Sequence, residues 1–319
     1  MNNWIAIIAG EPNSINSEII AKSWMLYKKD KNIFVIGNYS ILKKQFLKLG
    51  IKIPIIKINN FSDFKKKEEL FILDVPLKFD SVFKSKLSDV KKYIFKSFDI
   101  AHHLAINKKI LGIINAPVDK KIFKNKYLGV TEYLSEKNKS TDKEVMLIHN
   151  KQLSVVPLTT HIEVKNVTRK INFNLIKTKI ITLDNFYFKL FKKKPRIAIL
   201  GLNPHNSENK NNSIENKIIK PAVTKLRKIN IKIDGPFSAD TAFMKKNLIT
   251  YDVLVGMYHD QVLAPFKALY EYDAINITLG LKYLRLSPDH GTAQNIVGLN
   301  KANPQSLICA INFLNKIND

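Results

Sequence analysis

The sequence predicts an α/β fold built largely on parallel sheet, and three observations carry that expectation. Short apolar segments rich in β-branched residues recur at 4–9, 33–36, 110–114, 145–148, 197–200 and 253–255. Longer stretches with helical spacing, such as 81–107 and 214–229, lie between them. No repeat, heptad array or low-complexity linker interrupts the alternation across 319 residues. Strands buried on both faces read as continuous apolar runs, and strand-helix-strand order is what a parallel sheet requires.

Each apolar run stops at a turn former. The first is followed by Gly10, the second by Gly37, the third by Asn115, the fourth by Asn150 after His149, the fifth by Gly201 and the sixth by Gly256. Such residues release the chain from a strand without steric cost or by bonding their own backbone. In open α/β sheets the loops leaving the carboxyl ends of strands carry the chemistry, so these turns are where functional residues are expected. The stretch 61–88, rich in Lys and Asp, reads instead as a variable surface region.

An apolar content of 45% is enough for two ordinary domains or one large unit with a deep cleft. The formal charge of +25 points at first to nucleic acid or an anionic membrane. Yet of the 52 basic residues only Arg169, Arg196, Arg227 and Arg285 are arginine. Phosphate and base recognition favour the planar fork of arginine, and lysine runs such as 65–67 and 192–194 lack interleaved aromatics. Solvated lysine faces are the better reading, with no nucleic acid as partner, although the positive field would still attract phosphorylated small molecules. Cys309 is the single cysteine, which excludes an internal disulfide and fits a reducing cytoplasm. The opening MNNWIAIIAG has no basic leader and no apolar run reaches eighteen residues, so neither an export signal nor a membrane span is expected.

Three histidines stand at predicted strand ends or in polar turns: His161 in PLTTHIEV, His205 in LGLNPHNSEN and His259 in VLVGMYHDQ. Loops from successive strands can bring distant imidazoles to one sheet edge, where three of them suit a divalent ion. Each taken alone is better read as a capping or hydrogen-bonded residue. Pro204 restricts the turn before His205, while Asp260 and Gln261 flank His259 as partners that could orient an imidazole. His102 and His103 lie in a helical pattern and His149 ends an apolar strand, which makes them structural or exposed. His290 lies in the polar segment DHGTAQNIVG.

Eight strings occur in order along nearly the full chain: GEPNSINSE from Gly10, NAPVDK from Asn115, GVTEYLSE from Gly129, TTHIEV from Thr159, GLNPHNSE from Gly201, GPFSADTAF from Gly235, MYHDQ from Met257 and NITLGLKYLRLSPDHGTA from Asn276. As a set they resemble the 4-hydroxythreonine-4-phosphate dehydrogenase family, within the isocitrate and isopropylmalate dehydrogenase-like fold. That resemblance implies two α/β/α domains with a cleft between them, the first formed by 1–125 plus 265–319 and carrying the coenzyme segment. The second, 126–264, would carry the metal ligands and dimer contacts.

By the same resemblance His161, His205 and His259 are ligands of one divalent metal per site, zinc, magnesium or cobalt, drawn from both subunits of a homodimer. Substrate contacts fall on Thr131, Lys267, Asn276 and Arg285. Lys267 is also a candidate for proton transfer, since a partly buried lysine beside a cation loses its proton more readily. Asp240 and Asp260 are candidate orienting or catalytic acids. The plain alternatives stay open: Thr131, Asp240 and Asp260 as helix caps, Lys267 as one of many surface lysines, Asn276 as a turn residue and Arg285 as a structural ion-pair partner.

The C-terminal segment also resembles the coenzyme-binding stretch of the wider group, which places His290, Gly291, Thr292, Ala293 and Asn303 beside the adenosine half of NAD, with NADP as alternative. No G-x-G-x-x-G follows a strand, so an ordinary dinucleotide fingerprint is absent.

The implied reaction oxidises the secondary alcohol of a small phosphorylated hydroxy acid, 4-phosphooxy-L-threonine, and leads through decarboxylation toward pyridoxal phosphate. Two departures from the family pattern matter. Val130 stands where a substrate-binding histidine is usual, and Ser14, Asn16 and Ser17 replace small or rigid residues of the first loop. Val130 keeps open a sister activity on a phosphorylated sugar acid such as 4-phosphoerythronate or threonate 4-phosphate. A basic nucleic-acid binder without catalysis is the rival from another class, disfavoured by scarce arginine and by retention of all three histidines.

Overall fold

The computed structural model describes residues 4–27, 32–61, 69–123, 126–127, 129–141 and 143–318. The first apolar run becomes β1 (Ile5–Ile8), every residue of which is buried. It is followed by α1 (Asn16–Leu26), β2 (Ile33–Gly37), α2 (Tyr39–Lys48), β3 (Ile55–Ile58), β4 (Leu70–Asp74), α3 (Leu87–Ile106) and β5 (Gly112–Asn115). The chain then runs through α4 (Val130–Lys137) into β6 (Val145–His149), β7 (Ser154–Pro157), α5 (Val164–Lys170), α6 (Phe173–Phe191), β8 (Ile197–Leu200) and α7 (Lys220–Lys228). Next come β9 (Ile233–Phe237), α8 (Ala239–Ala242), α9 (Lys245–Thr250), β10 (Val253–Gly256), α10 (His259–Tyr270) and β11 (Ile275–Leu279), before β12 (Leu284–Pro288) and α11 (Gln305–Asn318) close the chain.

These elements form two units, one of 1–134 with 282–319 and the other of 135–281. In the first, strands lie in the order β3-β4-β2-β1-β5-β12 and every pairing between them is parallel. Ile5 of β1 sits opposite Ile33 on one side and Gly112 on the other. Packed on this sheet is α3, whose buried residues Val90, Tyr93, Ile94, Phe98, Ala101 and Ala105 recur at three- and four-residue steps. Burying a side chain the size of Ile94 or Phe98 stabilises the fold by roughly 1.5–3 kcal/mol each. Phe95, Phe98 and Phe123 surround Tyr133 at ring separations of 5.0–6.1 Å.

The second unit orders its strands β11-β6-β7-β10-β8-β9. Only β6 runs antiparallel to its neighbours, while β7, β10, β8 and β9 are parallel. Leu254 of β10, Val155 of β7 and Ala198 and Leu200 of β8 meet Val262 and Phe266 of α10 in its core. Because β10 is flanked by β7 and β8, three strands far apart in sequence finish side by side at their carboxyl ends.

The mostly parallel α/β expectation agrees with this architecture. Three local expectations differ. Within 61–88, read as surface, β4 is a buried strand between β2 and β3, because the apolar run LFILD is long enough to span the sheet despite charged flanks; residues 62–68 lie outside the described residues. The helix expected over 81–107 begins only at Leu87, since 81–84 forms a tight bridge between Ser81 and Lys84. The helix expected over 214–229 opens as a π turn, Glu215–Ile219, before α7 begins. Among the described residues no helix is long and apolar enough to cross a membrane.

Candidate active site

The loops after β7, β10 and β8 carry His161, His259 and His205 respectively. Thr159 fastens the first loop to the second: its backbone N–H donates to Met257 O at 3.2 Å and its hydroxyl to the same oxygen at 2.7 Å. Gln261 fastens the second loop to the third. Its side-chain oxygen accepts from Met257 N at 2.7 Å and its amide nitrogen donates to Gly201 O at 2.7 Å. As a result the rings of His161 and His259 stand 6.0 Å apart between centroids, tilted by 39°.

His161 is exposed, and the His259 side chain is 35% accessible. His259 Nδ1 lies 2.7 Å from Asp260 Oδ1. A carboxylate oxygen can only accept, so Nδ1–H donates and the lone pair of His259 is left on Nε2, the nitrogen free to take a Lewis acid. Two accessible imidazoles at this separation suit a borderline divalent ion. Among the described residues no three His, Cys, Asp or Glu side chains of one chain are grouped to hold a metal. Among the described residues the candidate histidines seen ring to ring are His161 and His259.

His205 is exposed on an unusual turn. His205, Asn206, Ser207, Glu208 and Asn209 all have φ between 49° and 60°, a left-handed run without a single glycine. Side-chain crowding makes that conformation cost roughly 1–2 kcal/mol per residue, and runs of it need external support. Support comes from buried Glu215, whose carboxylate accepts from Leu202 N, Asn203 N, Asn203 Nδ2 and Ser207 Oγ at 2.9–3.1 Å. Burial pushes the Glu215 carboxyl up, but these donors more than offset it and hold it below the usual carboxylate range. A Cβ at Gly201 would overlap Asn206 Oδ1, so any larger residue there would displace the Asn206 side chain.

Asp240 is exposed at the start of α8. A hydrogen bond from Ser238 and the nearby His205 hold its carboxyl below the ordinary value. Lys267 is exposed in the last turn of α10, one turn beyond the buried Leu263. Asn276, half-buried on β11, keeps a buried Oδ1 without a hydrogen-bond partner among the described residues, as a group awaiting a ligand would.

In the other unit Arg285 is 3% exposed on β12. Its Nε donates to Asn115 Oδ1 at 2.6 Å and Nη1 lies 3.5 Å from Thr131 Oγ1. Burial pushes the guanidinium down to about 10, with Glu132 and Tyr283 pulling it back, so it is charged at neutral pH. Thr131 sits in the first turn of α4 beside Val130. Asn115 carried no role in the sequence reading. Its signals in the sequence are the apolar strand it ends and its place at the head of the string NAPVDK. Tyr283 is held by His102 Nδ1 at 2.9 Å, a structural role for that histidine, and His149 bonds Ser154 Oγ at 2.8 Å.

The coenzyme candidates follow β12. His290 Nδ1 is 3.0 Å from Gly291 O, Thr292 O accepts from Ile15 N at 3.3 Å, and Ala293 is left-handed with φ of 44°. Asn303 Oδ1 accepts from Gln305 N at 2.9 Å, which fixes the start of α11. The first loop is therefore tied to this segment.

That loop contains a second residue not singled out from sequence. Glu11 is 4% exposed, and burial pushes its carboxyl from 4.5 to about 7, opposed by the Asn13 N–H and reinforced by Asp119. A raised folded-state value favours the neutral form. Its contribution to stability is complete below pH 4.5 and is lost as pH rises through about 7. Relative to Glu11→Gln, the native protein should lose up to about 3 kcal/mol of unfolding free energy between those limits. Denaturant titrations of both proteins at each end measure it; parallel pH dependence would refute the assignment.

Linked histidine loops at the carboxyl ends of neighbouring parallel strands place this protein among the α/β enzymes that build their chemistry at that edge. Comparison with known proteins is specific. Residues 29–314 match the family model described as Pyridoxal phosphate biosynthetic protein PdxA. The chain is 37% identical over 317 residues to 4-hydroxythreonine-4-phosphate dehydrogenase of Sulfurihydrogenibium sp. (strain YO3AOP1), covering 96% of each. It is 35% identical to the enzyme of that name from Aquifex aeolicus, covering 100% of this chain and 99% of the relative. The crystal structure of 4-hydroxythreonine-4-phosphate dehydrogenase from Klebsiella pneumoniae shares the fold with a TM-score of 0.85 at 30% identity, covering 99% of this chain and 100% of that one. The chain belongs to the PdxA family of pyridoxal phosphate biosynthetic proteins.

Proposed function

We propose that this protein oxidises 4-phosphooxy-L-threonine with NAD, NADP being the alternative coenzyme, to 2-amino-3-oxo-4-phosphooxybutanoate. Hydride leaves the carbon bearing the 3-hydroxyl for the nicotinamide, and the hydroxyl proton goes to a base. The β-keto acid then loses carbon dioxide to give 3-amino-2-oxopropyl phosphate for pyridoxal phosphate biosynthesis. The observation that carries this reading is the joining of the three histidine loops at adjacent strand ends in a member of this family.

His161, His205 and His259 are the proposed ligands of one divalent ion, zinc, magnesium or cobalt, with the set completed between two copies in a homodimer. Such an ion supplies Lewis-acid polarisation of the reacting oxygen. Asp260 keeps the His259 lone pair on Nε2, and Asp240 is placed to act on His205. Arg285, oriented by Asn115 and neighboured by Thr131, receives the phosphate or carboxylate of the substrate. The unpaired Asn276 oxygen accepts from a substrate donor. Lys267 is the candidate for moving the hydroxyl proton. His290, Gly291, Thr292, Ala293 and Asn303 border the adenosine half of the coenzyme. A single cysteine and the family's biosynthetic role favour the cytoplasm.

Val130, at the start of α4 beside Thr131, supports a second reading in which the substrate is a phosphorylated sugar acid without an amino group. One assay separates the two. Purified protein with NAD and each divalent metal should release NADH from 4-phosphooxy-L-threonine with a kcat/KM at least about tenfold above that for 4-phosphoerythronate, a difference of about 1.4 kcal/mol. The reverse preference overturns the first reading.

A further inference from the structure

Among the described residues the longest left-handed run holds one of the proposed metal ligands, and a buried acid braces it. Five consecutive left-handed residues begin at His205. Each would relax toward ordinary right-handed geometry if nothing opposed it. Opposite them Glu215, with no exposed surface, opens the π turn that precedes α7.

We propose that Glu215 is the positioning residue of the His205 loop, its buried carboxylate holding the left-handed run in the shape that presents the imidazole. This rests on the reading of His205 as a metal ligand. The chemistry requires a carboxylate. Oε1 accepts from Leu202 N at 3.0 Å, Asn203 N at 2.9 Å and Asn203 Nδ2 at 3.1 Å, and Oε2 accepts from Ser207 Oγ at 3.1 Å. Every partner is a donor, and an amide in the same place would turn its own N–H groups on one of them. No salt bridge to Glu215 forms among the described residues, so hydrogen-bond donors alone compensate its charge.

The contacts bracket the ligand. Leu202 and Asn203 precede His205 and Ser207 follows it two residues on, so one carboxylate brackets the residue that carries the imidazole. Asn206 Nδ2 pins the run to Pro236 O at 3.0 Å, and Asn216 Nδ2 reaches Asn209 O at 2.6 Å and Lys210 O at 2.9 Å. These outer contacts fix where the run lies, and among these side chains Glu215 is the one that bonds residues on both sides of His205.

The test is a double-mutant cycle read by metal affinity, using Co2+ titrated into the full chain and followed by its visible absorption. Glu215→Gln should weaken Co2+ binding by about tenfold, as loss of a ligand-orienting partner does. In a His205→Ala background the same change should cause no further loss. Equal losses in both backgrounds would make Glu215 a general structural residue and overturn the proposal, as would undiminished affinity in E215Q. Should E215Q fail to fold, Ser207→Ala, which removes one donor to Oε2, carries the same cycle with a smaller loss. If His205→Ala binds Co2+ as tightly as the native chain, the metal reading fails and the positioning role with it; if H205A weakens binding and E215Q does not, only the positioning role fails.

Discussion

Replacing His259 by alanine is expected to lower kcat/KM by roughly a thousandfold while shifting Tm by only about 2 °C. The first figure follows from the several kcal/mol that Lewis-acid stabilisation supplies to an alcohol oxidation, since each 1.36 kcal/mol is a factor of ten. The second follows from where the residue sits. His259 opens α10 with its side chain 35% accessible, and its hydrogen-bond partner Asp260 is 81% accessible, so neither supports the core. Steady-state kinetics at saturating divalent metal, beside a thermal melt, separates the two effects. Activity within tenfold of native would remove His259 from the reaction.

Arg285→Lys should raise the KM for the phosphorylated substrate by roughly a hundredfold and leave the KM for NAD within a factor of three. Arg285 is buried, with Nε donating to Asn115 Oδ1 and Nη1 beside Thr131 Oγ1, so its planar fork is held in a fixed orientation. A lysine keeps the charge but cannot serve Asn115 and a substrate oxygen pair in one plane. Losing such a buried, charge-assisted contact costs about 2–5 kcal/mol, and a hundredfold change sits at the lower part of that range. The comparison of the two KM values decides the role. A fall in Tm with an unaltered substrate KM would mean that Arg285 is structural, holding Asn115 and Thr131 together.

Much of the fold was legible in the sequence because buried parallel strands announce themselves as short apolar runs. β1, β2, β5, β6, β8 and β10 coincide with such runs to within two residues. β4 was hidden by charged flanks, and β7, β9, β11 and β12 lie in motif-rich segments whose polar residues mask a strand. β9 even contains Gly235 and Pro236. The histidine loops were legible as residues but not as neighbours. Asp260 and Gln261 could be named as partners of His259 from adjacency alone, whereas the reach of Gln261 to Gly201 across 60 residues could not. Glu11 and Glu215 were missed for one reason: an isolated acid in a polar stretch reads as exposed, and only packing reveals that it is buried.

By itself the sequence determined the alternation of strand and helix, the family, and the identities of the residues capable of chemistry, since hydrophobic patterning and side-chain type are properties of the chain as written. The tertiary structure decided which strand lies beside which. Backbone hydrogen bonds join β10 to β7 and β8 with no signature in side-chain type, and that choice of neighbours is what sets His161 beside His259. It also decided the hand of the turn at His205: asparagine and histidine tolerate the left-handed region singly, but five such residues in succession occur here against a buried acid that the sequence does not mark.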